Sequence, residues 1–208
     1  MEIKENKRNK NRVSIFTDDG FLFACEKELI YKHHIKKGDP VDEKILKDLI
    51  AEDDYIKARE MGLRQLESSF KTEKQIKDKL DEKGFEEDII EQVIEKFREY
   101  NLVDDKKYTE MFLKEKLRSR GLRKASYELS QKGISKELVA EVSEEINTYD
   151  MEEASCRAHG VKKYEQLRKK ETDPYKLKNK LFTFLSSKGY DYDLVNSIMG
   201  EILTSKKD

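Results

Sequence analysis

The stretch QIKDKLDEKGFEEDIIEQV, residues 75–93, predicts two short amphipathic helices that meet at Gly84. The same pattern returns as KASYELSQKGISKELVAEV, residues 124–142, and as KLFTFLSSKGYDYDLVNSI, residues 180–198. In each copy a lysine precedes the glycine and an apolar residue follows it. The chain therefore repeats one helix pair three times.

When Gly84, Gly133 and Gly189 are aligned, the apolar residues of the three copies fall into shared columns. Before the glycine the columns are Ile76, Ala125 and Leu181, then Leu80, Leu129 and Leu185. After it they are Phe85, Ile134 and Tyr190, then Ile90, Val139 and Val195, then Val93, Val142 and Ile198, and finally Phe97, Ile146 and Ile202. Each glycine is predicted to end a helix in the left-handed conformation. Glu86, Ser135 and Asp191 stand where the next helix needs an acceptor at its start.

The spacing from each of these glycines to the next is longer than a helix pair. Residues 52–69, 105–119 and 151–169 each hold a further helical pattern, so the repeating unit is predicted to be a three-helix module. Modules this small bury more apolar surface by stacking. We therefore expect an all-α, elongated and slightly curved tandem array of three modules, with domains at 52–103, 104–149 and 150–208.

The opening segment differs from the helical remainder. RVSIFTDDGFLFACE, residues 12–26, places Asp-Gly between β-branched and aromatic runs and predicts a hairpin with strands near 12–17 and 21–25. One helix is expected from about Glu26 to Lys37, and a second over 41–50, capped by Asp39 with Pro40 in its first turn. Residues 1–51 are thus predicted to form an N-terminal β-hairpin and two-helix extension.

Composition narrows the class of protein. The hydrophobic content of 36% beside 42% charged residues favours several small cores over one large core. The two cysteines are too few for a disulfide scaffold, and we expect a reduced, cytoplasmic monomer. The N-terminal segment lacks the apolar run of a signal peptide, and no window approaches a membrane span.

Motifs of catalysis are missing from the sequence. There is no phosphate-binding glycine loop, HExxH or GxSxG motif, and the histidines, His33, His34 and His159, lack companion ligands at metal spacing. The many carboxylates lie on the polar sides of amphipathic helices. The sequence predicts a protein that is not an enzyme, without cofactor or metal.

Charge is segregated although the net charge is only -1. Residues 137–153 hold seven acidic side chains and no basic one, whereas two other runs are basic. The first basic run contributes Lys114, Lys116, Arg118, Arg120, Arg123 and Lys124, and the second contributes Lys162, Lys163, Arg168, Lys169, Lys170, Lys176, Lys178 and Lys180. Both runs lie at the turn from the first to the second helix of a module. They are predicted to form one basic edge that binds nucleic-acid phosphates or an acidic protein surface.

The middle module carries a family resemblance. NLVDDKKYTEMF, residues 101–112, with Asp104, Asp105, Tyr108 and Phe112, then Gly121, then YELSQKGI, residues 127–134, resembles the central signature of the RecX family of recombination regulators. Residues 75–85 and 181–199 are similar to the first and third modules of that family. The resemblance covers about residues 50–203. Departures occur at Ser68 and Ser69, near which the family commonly has an arginine, and at Lys124 and Ala125, where it commonly has Arg-Ile.

The resemblance implies a function in homologous recombination, DNA repair and the SOS response. Members of the family are thought to lie in the groove of the RecA filament and to hinder its ATPase, strand-exchange and coprotease activities. The expected partner is thus the RecA filament, with weak direct contact to single- or double-stranded DNA and none to membranes. The residues themselves leave the sign of the effect, inhibitory or stimulatory, open.

Two alternatives remain at the level of sequence. In the first, the helix pairs bind DNA directly, although acidic residues at the start of the helix after each glycine would repel phosphate. In the second, the chain is an adaptor for a different protein polymer. The near-neutral net charge argues against simple competition for bare DNA.

Overall fold

The computed structural model describes residues 1–7, 9–40 and 42–205. Its elements are β1 (Glu2–Glu5), β2 (Arg12–Thr17), β3 (Gly20–Glu26), α1 (Lys27–Lys32), α2 (Glu43–Ser68), α3 (Glu73–Asp81), α4 (Glu87–Glu99), α5 (Asp105–Lys116), α6 (Leu122–Gln131), α7 (Lys136–Glu145), α8 (Thr148–Leu167), α9 (Pro174–Ser187) and α10 (Tyr192–Thr204). Val41 of the predicted second helix and residues 206–208 of the predicted last domain lie outside the described residues. Within the described ranges, no helix has the length and apolar character needed to cross a bilayer.

The chain divides into two compact units, each with its own packing. The first comprises Met1–Phe70 and Ile76–Leu102, and the second comprises Lys71–Gln75 and the residues from Val103 onward. Separate apolar clusters centre on Val13 and Ile15 in the N-terminal segment, on Leu113 and Leu129 in the second module, and on Leu185 in the third. The expectation of several small cores is confirmed.

The N-terminal strands form an antiparallel sheet in the order β1-β2-β3. The predicted hairpin is present as β2 and β3, with Val13 opposite Cys25. The prediction was incomplete, because β1 pairs with the other edge of β2 and places Ile3 opposite Ile15. The sequence EIKE of β1 has one apolar residue and no turn signal, so its pairing depends on a partner that the local pattern does not reveal.

The two helices predicted after the hairpin have different bounds in the structure. α1 ends at Lys32, and His34 takes a left-handed φ of 55° immediately afterwards. The predicted cap at Asp39 is wrong, because Asp42 accepts the backbone N–H groups of Lys44 and Ile45 at 2.8 and 3.1 Å. From there α2 runs unbroken across the expected boundary at residue 51, since no glycine or proline precedes Gly62 within it. The expected separate helices over 41–50 and 52–69 are one helix.

Asp53 of α2 ties this helix to the sheet. Its side chain is 2% exposed, and its oxygens accept hydrogen bonds from Nη1 and Nη2 of Arg12 at 3.2 and 2.9 Å. The backbone N–H of Glu26 donates to Oδ1 at 2.9 Å, and Lys57 Nζ lies 2.8 Å from Oδ2. Burial alone would raise the pKa of Asp53, but the hydrogen bonds from Arg12 and Lys57 outweigh it, so the pKa is lowered.

The three modules are α2 to α4, α5 to α7, and α8 to α10. We call the turn between the second and third helix of each module its corner, residues 83–85, 132–134 and 188–190. Gly84, Gly133 and Gly189 have φ of 81°, 86° and 91°, which confirms the predicted left-handed caps. The columns four residues before them, Leu80, Leu129 and Leu185, are fully buried.

The third helix of each module begins after an extended residue at the predicted position. Ser135 accepts the backbone N–H of Leu138, and Asp191 accepts that of Asp193. Glu86 stands at the same position but makes no side-chain capping bond. Short side chains suit this position because they reach the free amides of the first turn.

The two cysteines are reduced and buried, one in each compact unit. Burial raises the pKa of the Cys25 thiol to about 11 and that of the Cys156 thiol to about 12. Both side chains pack as small apolar groups in a core cluster.

Candidate functional site

The second and third modules join within the second unit, where the start of α6 meets the corner of the third module. The backbone N–H of Gly121 donates to the Lys188 carbonyl at 3.0 Å. A Cβ on Gly121 would approach the Gly189 carbonyl oxygen to 2.2 Å, so this position of the family signature requires glycine. Glu152 Oε1 of α8 accepts the N–H of Leu122 at 2.9 Å and caps α6.

Lys188 lies at the centre of this joint. Its Nζ donates to the Ser119 carbonyl at 3.0 Å and lies 5.6 Å from the centre of the Phe184 ring. Burial, followed by the positive charges of Lys124 and Arg120, lowers the pKa of Lys188. Lys188 of the third module thus lies near Lys124 and Arg120 of the second, and Arg120 is also paired with Glu128.

The second basic run reaches the same place from α8. Lys163 Nζ lies 5.0 Å from the centre of the Phe184 ring, on which Lys188 also packs. Burial, followed by the charges of Lys188 and Lys162, lowers the pKa of His159. Part of each predicted basic run thus comes together around Lys188 and Phe184. We call this set the basic joint surface: Arg120, Arg123, Lys124, Lys162, Lys163 and Lys188.

Sequence reasoning did not select Lys188. The signal was present, since a lysine precedes the glycine of every corner. Lys188 joins the basic surface because the first basic run contacts the corner of the third module, and this contact cannot be read from the sequence. A shallow groove beside it is lined by Lys163, Lys180 and Phe184.

Several predicted cations, among them Arg120 of the basic joint surface, are engaged with nearby carboxylates. Lys114 pairs with Glu110, Lys116 with Glu115, Arg120 with Glu128, Arg168 with Glu165 and Lys180 with Glu171. Ion pairs at a protein surface contribute little to stability, but each of these pairs reduces the charge offered to a partner. The remaining members of the two runs, Arg118, Lys169, Lys170, Lys176 and Lys178, are exposed.

The acidic and aromatic residues of the family signature have structural contacts. Asp104 caps α5 by accepting the N–H of Lys107 at 2.8 Å, and Asp105 accepts the N–H of Glu73 at 3.0 Å. The rings of Tyr108 and Phe112 stack with their centres 6.0 Å apart beside the second-module core. These residues organise the second unit.

One buried polar cluster contains a serine, a histidine and a tyrosine. The Tyr190 hydroxyl lies 2.8 Å from both Ser155 Oγ and His159 Nδ1. Burial raises the pKa of Tyr190 to about 12, so the phenol stays protonated at neutral pH. The cluster satisfies the polar atoms of a core tyrosine. Among the described residues, no group of His, Cys, Asp and Glu could hold a metal ion.

Four family models of one family match successive segments that together make up most of the chain. The matches are the "Regulatory protein RecX N-terminal domain" at residues 2–42 and the first, second and third three-helix domains of RecX at residues 58–97, 104–142 and 151–199. The chain belongs to the RecX family of regulatory proteins.

Curated relatives with the same family name match nearly the whole chain, and solved RecX structures share its fold. Regulatory protein RecX of Clostridium perfringens (strain 13 / Type A) is 46% identical over 204 residues, covering 98% of this chain and 96% of its own. That of Clostridioides difficile (strain 630) is 34% identical over 204 residues, covering 97% and 94%. A crystal structure of regulatory protein RecX shares the fold with a TM-score of 0.72 at 23% identity, covering 95% and 96% of the two chains. RecX from Lactobacillus salivarius has a TM-score of 0.65 at 27% identity, covering 72% and 97%.

Proposed function

We propose that this protein is a non-enzymatic regulator that binds the RecA filament and inhibits its ATPase, strand-exchange and coprotease activities. Membership of a family of regulatory proteins supports this assignment. The name RecX links those relatives to recombination, and the resemblance implies RecA as the partner.

The basic joint surface is the proposed contact. The observation that carries this choice is the convergence of three lysines: Lys124 packs against Gly189 of the third corner, and Lys163 and Lys188 both lie over the Phe184 ring. Like charges held close together destabilise the free protein, and an acidic partner surface would relieve that repulsion. We assign the contact to an acidic face of the RecA filament, with phosphates of the bound DNA strand as a secondary neighbour.

The test compares two double variants with the same change of net charge. Arg123→Gln with Lys162→Gln removes two exposed charges from the basic joint surface, and neither side chain is part of a core. Lys107→Gln with Lys136→Gln removes two exposed charges elsewhere in the second unit. We expect the first variant to bind filaments about tenfold more weakly and to inhibit ATPase less, and the control to match the parent.

Binding is measured by co-sedimentation with RecA filaments on single-stranded DNA and, separately, with the naked strand. Affinity of the parent for filaments should fall as salt rises, because exposed charges are screened. Equal losses in both double variants would assign the effect to net charge and reject this surface. Tight binding to naked DNA with none to filaments would favour direct DNA binding instead.

A further inference from the structure

The corners of the second and third modules are each occupied by the start of an earlier helix. Thr72, immediately before α3, donates from Oγ1 to the Lys132 carbonyl at 2.7 Å. Gly121, immediately before α6, donates its N–H to the Lys188 carbonyl at 3.0 Å. In both cases the lysine carbonyl of the corner accepts a hydrogen bond from the N-terminus of a helix.

In each of these two contacts a lysine side chain packs against the glycine of the corner. A Cβ on Gly133 would come within 2.5 Å of Lys74 Cβ, and a Cβ on Gly189 would come within 2.5 Å of Lys124 Cβ. Lys74 and Lys124 both lie in the first turn of the helix that occupies the corner. The occupied corner therefore has a repeated form: a helix N-terminus with a lysine in its first turn.

The corner of the first module has the same backbone but no occupant in the part of the chain that the structure describes. Gly84 has the same left-handed φ, yet no atom lies within 4 Å of a Cβ built on it. Among the described residues, no hydrogen bond to the Lys83 carbonyl is formed. Gly84 itself is exposed.

The open corner also differs in charge from the occupied corner of the second module. Residues 81–88, DEKGFEED, hold five carboxylates and one lysine, whereas residues 130–137, SQKGISKE, hold one carboxylate and two lysines. Exposed helix-end carbonyls together with these carboxylates attract a positive helix N-terminus. They repel nucleic-acid phosphate.

A second copy of this chain has no free helix N-terminus in its third module that could occupy the open corner. Thr72 and Gly121 stand at the same sequence position relative to the glycine of their own module, and the equivalent position in the third module is Leu177. Leu177 is buried within α9, which begins earlier at Pro174 and is capped by its own Asp173. This additional turn replaces the free helix start, so the third module has no counterpart to offer.

We propose that the Gly84 corner is a docking site for a helix N-terminus of the partner protein, with a lysine or arginine in its first turn. The site repeats the joint seen at residues 132–134 and 188–190. Resting on the function proposed above, the inference assigns this helix to RecA. The contact is separate from the basic joint surface and has the opposite charge.

The test places a side chain in the open corner with the smallest backbone strain that a substitution of Gly84 allows. Asn tolerates the left-handed conformation better than other side chains, so Gly84→Asn should keep the helical circular dichroism of the parent with only a small loss of melting temperature. The matched control is Gly38→Asn, because Gly38 also has a positive φ of 95° and nothing within 4 Å of a Cβ. We expect Gly84→Asn to weaken co-sedimentation with RecA filaments about tenfold and Gly38→Asn to leave it unchanged.

A second pair of variants tests the charge. Glu87→Lys, beside the corner, should weaken filament binding, and Glu95→Lys, exposed farther along α4, should not. Parent-like binding by Gly84→Asn and Glu87→Lys would overturn the docking site while leaving the proposed function intact. A parent that fails to bind filaments would refute both. Self-association of the free parent that Gly84→Asn abolishes would assign the corner to a second copy and reject the RecA helix.

Discussion

Arg12 and Asp53 form a two-pronged ion pair between β2 and α2, with both guanidinium Nη atoms on the two carboxylate oxygens at 3.2 and 2.9 Å. The pair lies 41 positions apart in the chain and closes the N-terminal sheet onto its helix. Removal of one partner from such a buried pair leaves an uncompensated charge.

We expect Arg12→Ala to lower the free energy of unfolding of the first unit by about 3 kcal/mol, the low end of values for broken buried pairs, because Lys57 still contacts Asp53. Denaturant titration followed by circular dichroism measures the change. Lys4→Ala is the control, since Lys4 is 56% exposed and its ion pair with Glu2 lies at the surface. A loss no larger than that of Lys4→Ala would contradict the anchoring role.

Asp53 also predicts a pH dependence. Its pKa is lower in the folded chain than the ordinary value of about 3.9, so its ionised form stabilises the fold above that pH. This contribution is lost as pH falls from about 4 through the depressed pKa. The stability difference between the parent and Asp53→Asn should therefore shrink over that acidic range. A difference that is constant with pH would show that ionisation of Asp53 is not linked to folding.

Glu152 should behave in the opposite sense. Burial raises its pKa, and Asp191 adds to the increase, while the N–H of Leu122 acts against it. The charged form is thus disfavoured in the folded chain, and stability is lost as pH rises above the ordinary pKa. Glu152→Gln keeps an oxygen for Leu122 without the charge, so the variant should be more stable than the parent at pH 7.

At pH 4 the advantage of Glu152→Gln should disappear, because Glu152 is then largely protonated in both states. Thermal melts at the two pH values measure it. A variant that is less stable than the parent at pH 7 would show that attraction between the carboxylate and the N-terminus of α6 exceeds the cost of burial.

Leu129 is fully buried in the second-module core, so Leu129→Ala should reduce the free energy of unfolding by about 2 to 5 kcal/mol. Met111→Ala is a suitable control in the same unit, because Met111 is 51% exposed. Similar melting curves for the two variants would show that Leu129 does not contribute to the core of the second module.

The predicted elongated and slightly curved shape stays a prediction that scattering can test. A compact chain of 208 residues has a radius of gyration of about 17 Å by the usual scaling. We expect a larger value in dilute solution, and a value no larger than that of the compact chain would reject the array.

The repeat made most of the fold predictable, because local periodicity determines which helix face is buried. Leu80, Leu129 and Leu185 were chosen from spacing alone and all are buried. Strand β1 was missed because its stability comes from pairing with β2. The boundary expected at residue 51 was wrong, because no glycine or proline interrupts residues 43–61 and the helix therefore has no local reason to end there.

The candidate site could be predicted from the sequence less completely than the fold. Charge runs indicated which segments are basic, and Lys124 and Lys163 do lie near the joint. Patterning could not show that Glu128 engages Arg120, or that Lys188 lies between the two runs. Such pairings arise from the packing of modules distant in sequence, so they require a structure.

The two buried thiols can be used as internal probes of local unfolding. The thiolate is the nucleophile that attacks thiol reagents, and burial both shields Cys25 and Cys156 and keeps them protonated. Labelling must then wait for the surrounding structure to open, so its rate reports the opening equilibrium at each position. Because each compact unit contains one cysteine, mass spectrometry of labelled peptides can time the two units separately in a single sample, with and without a partner.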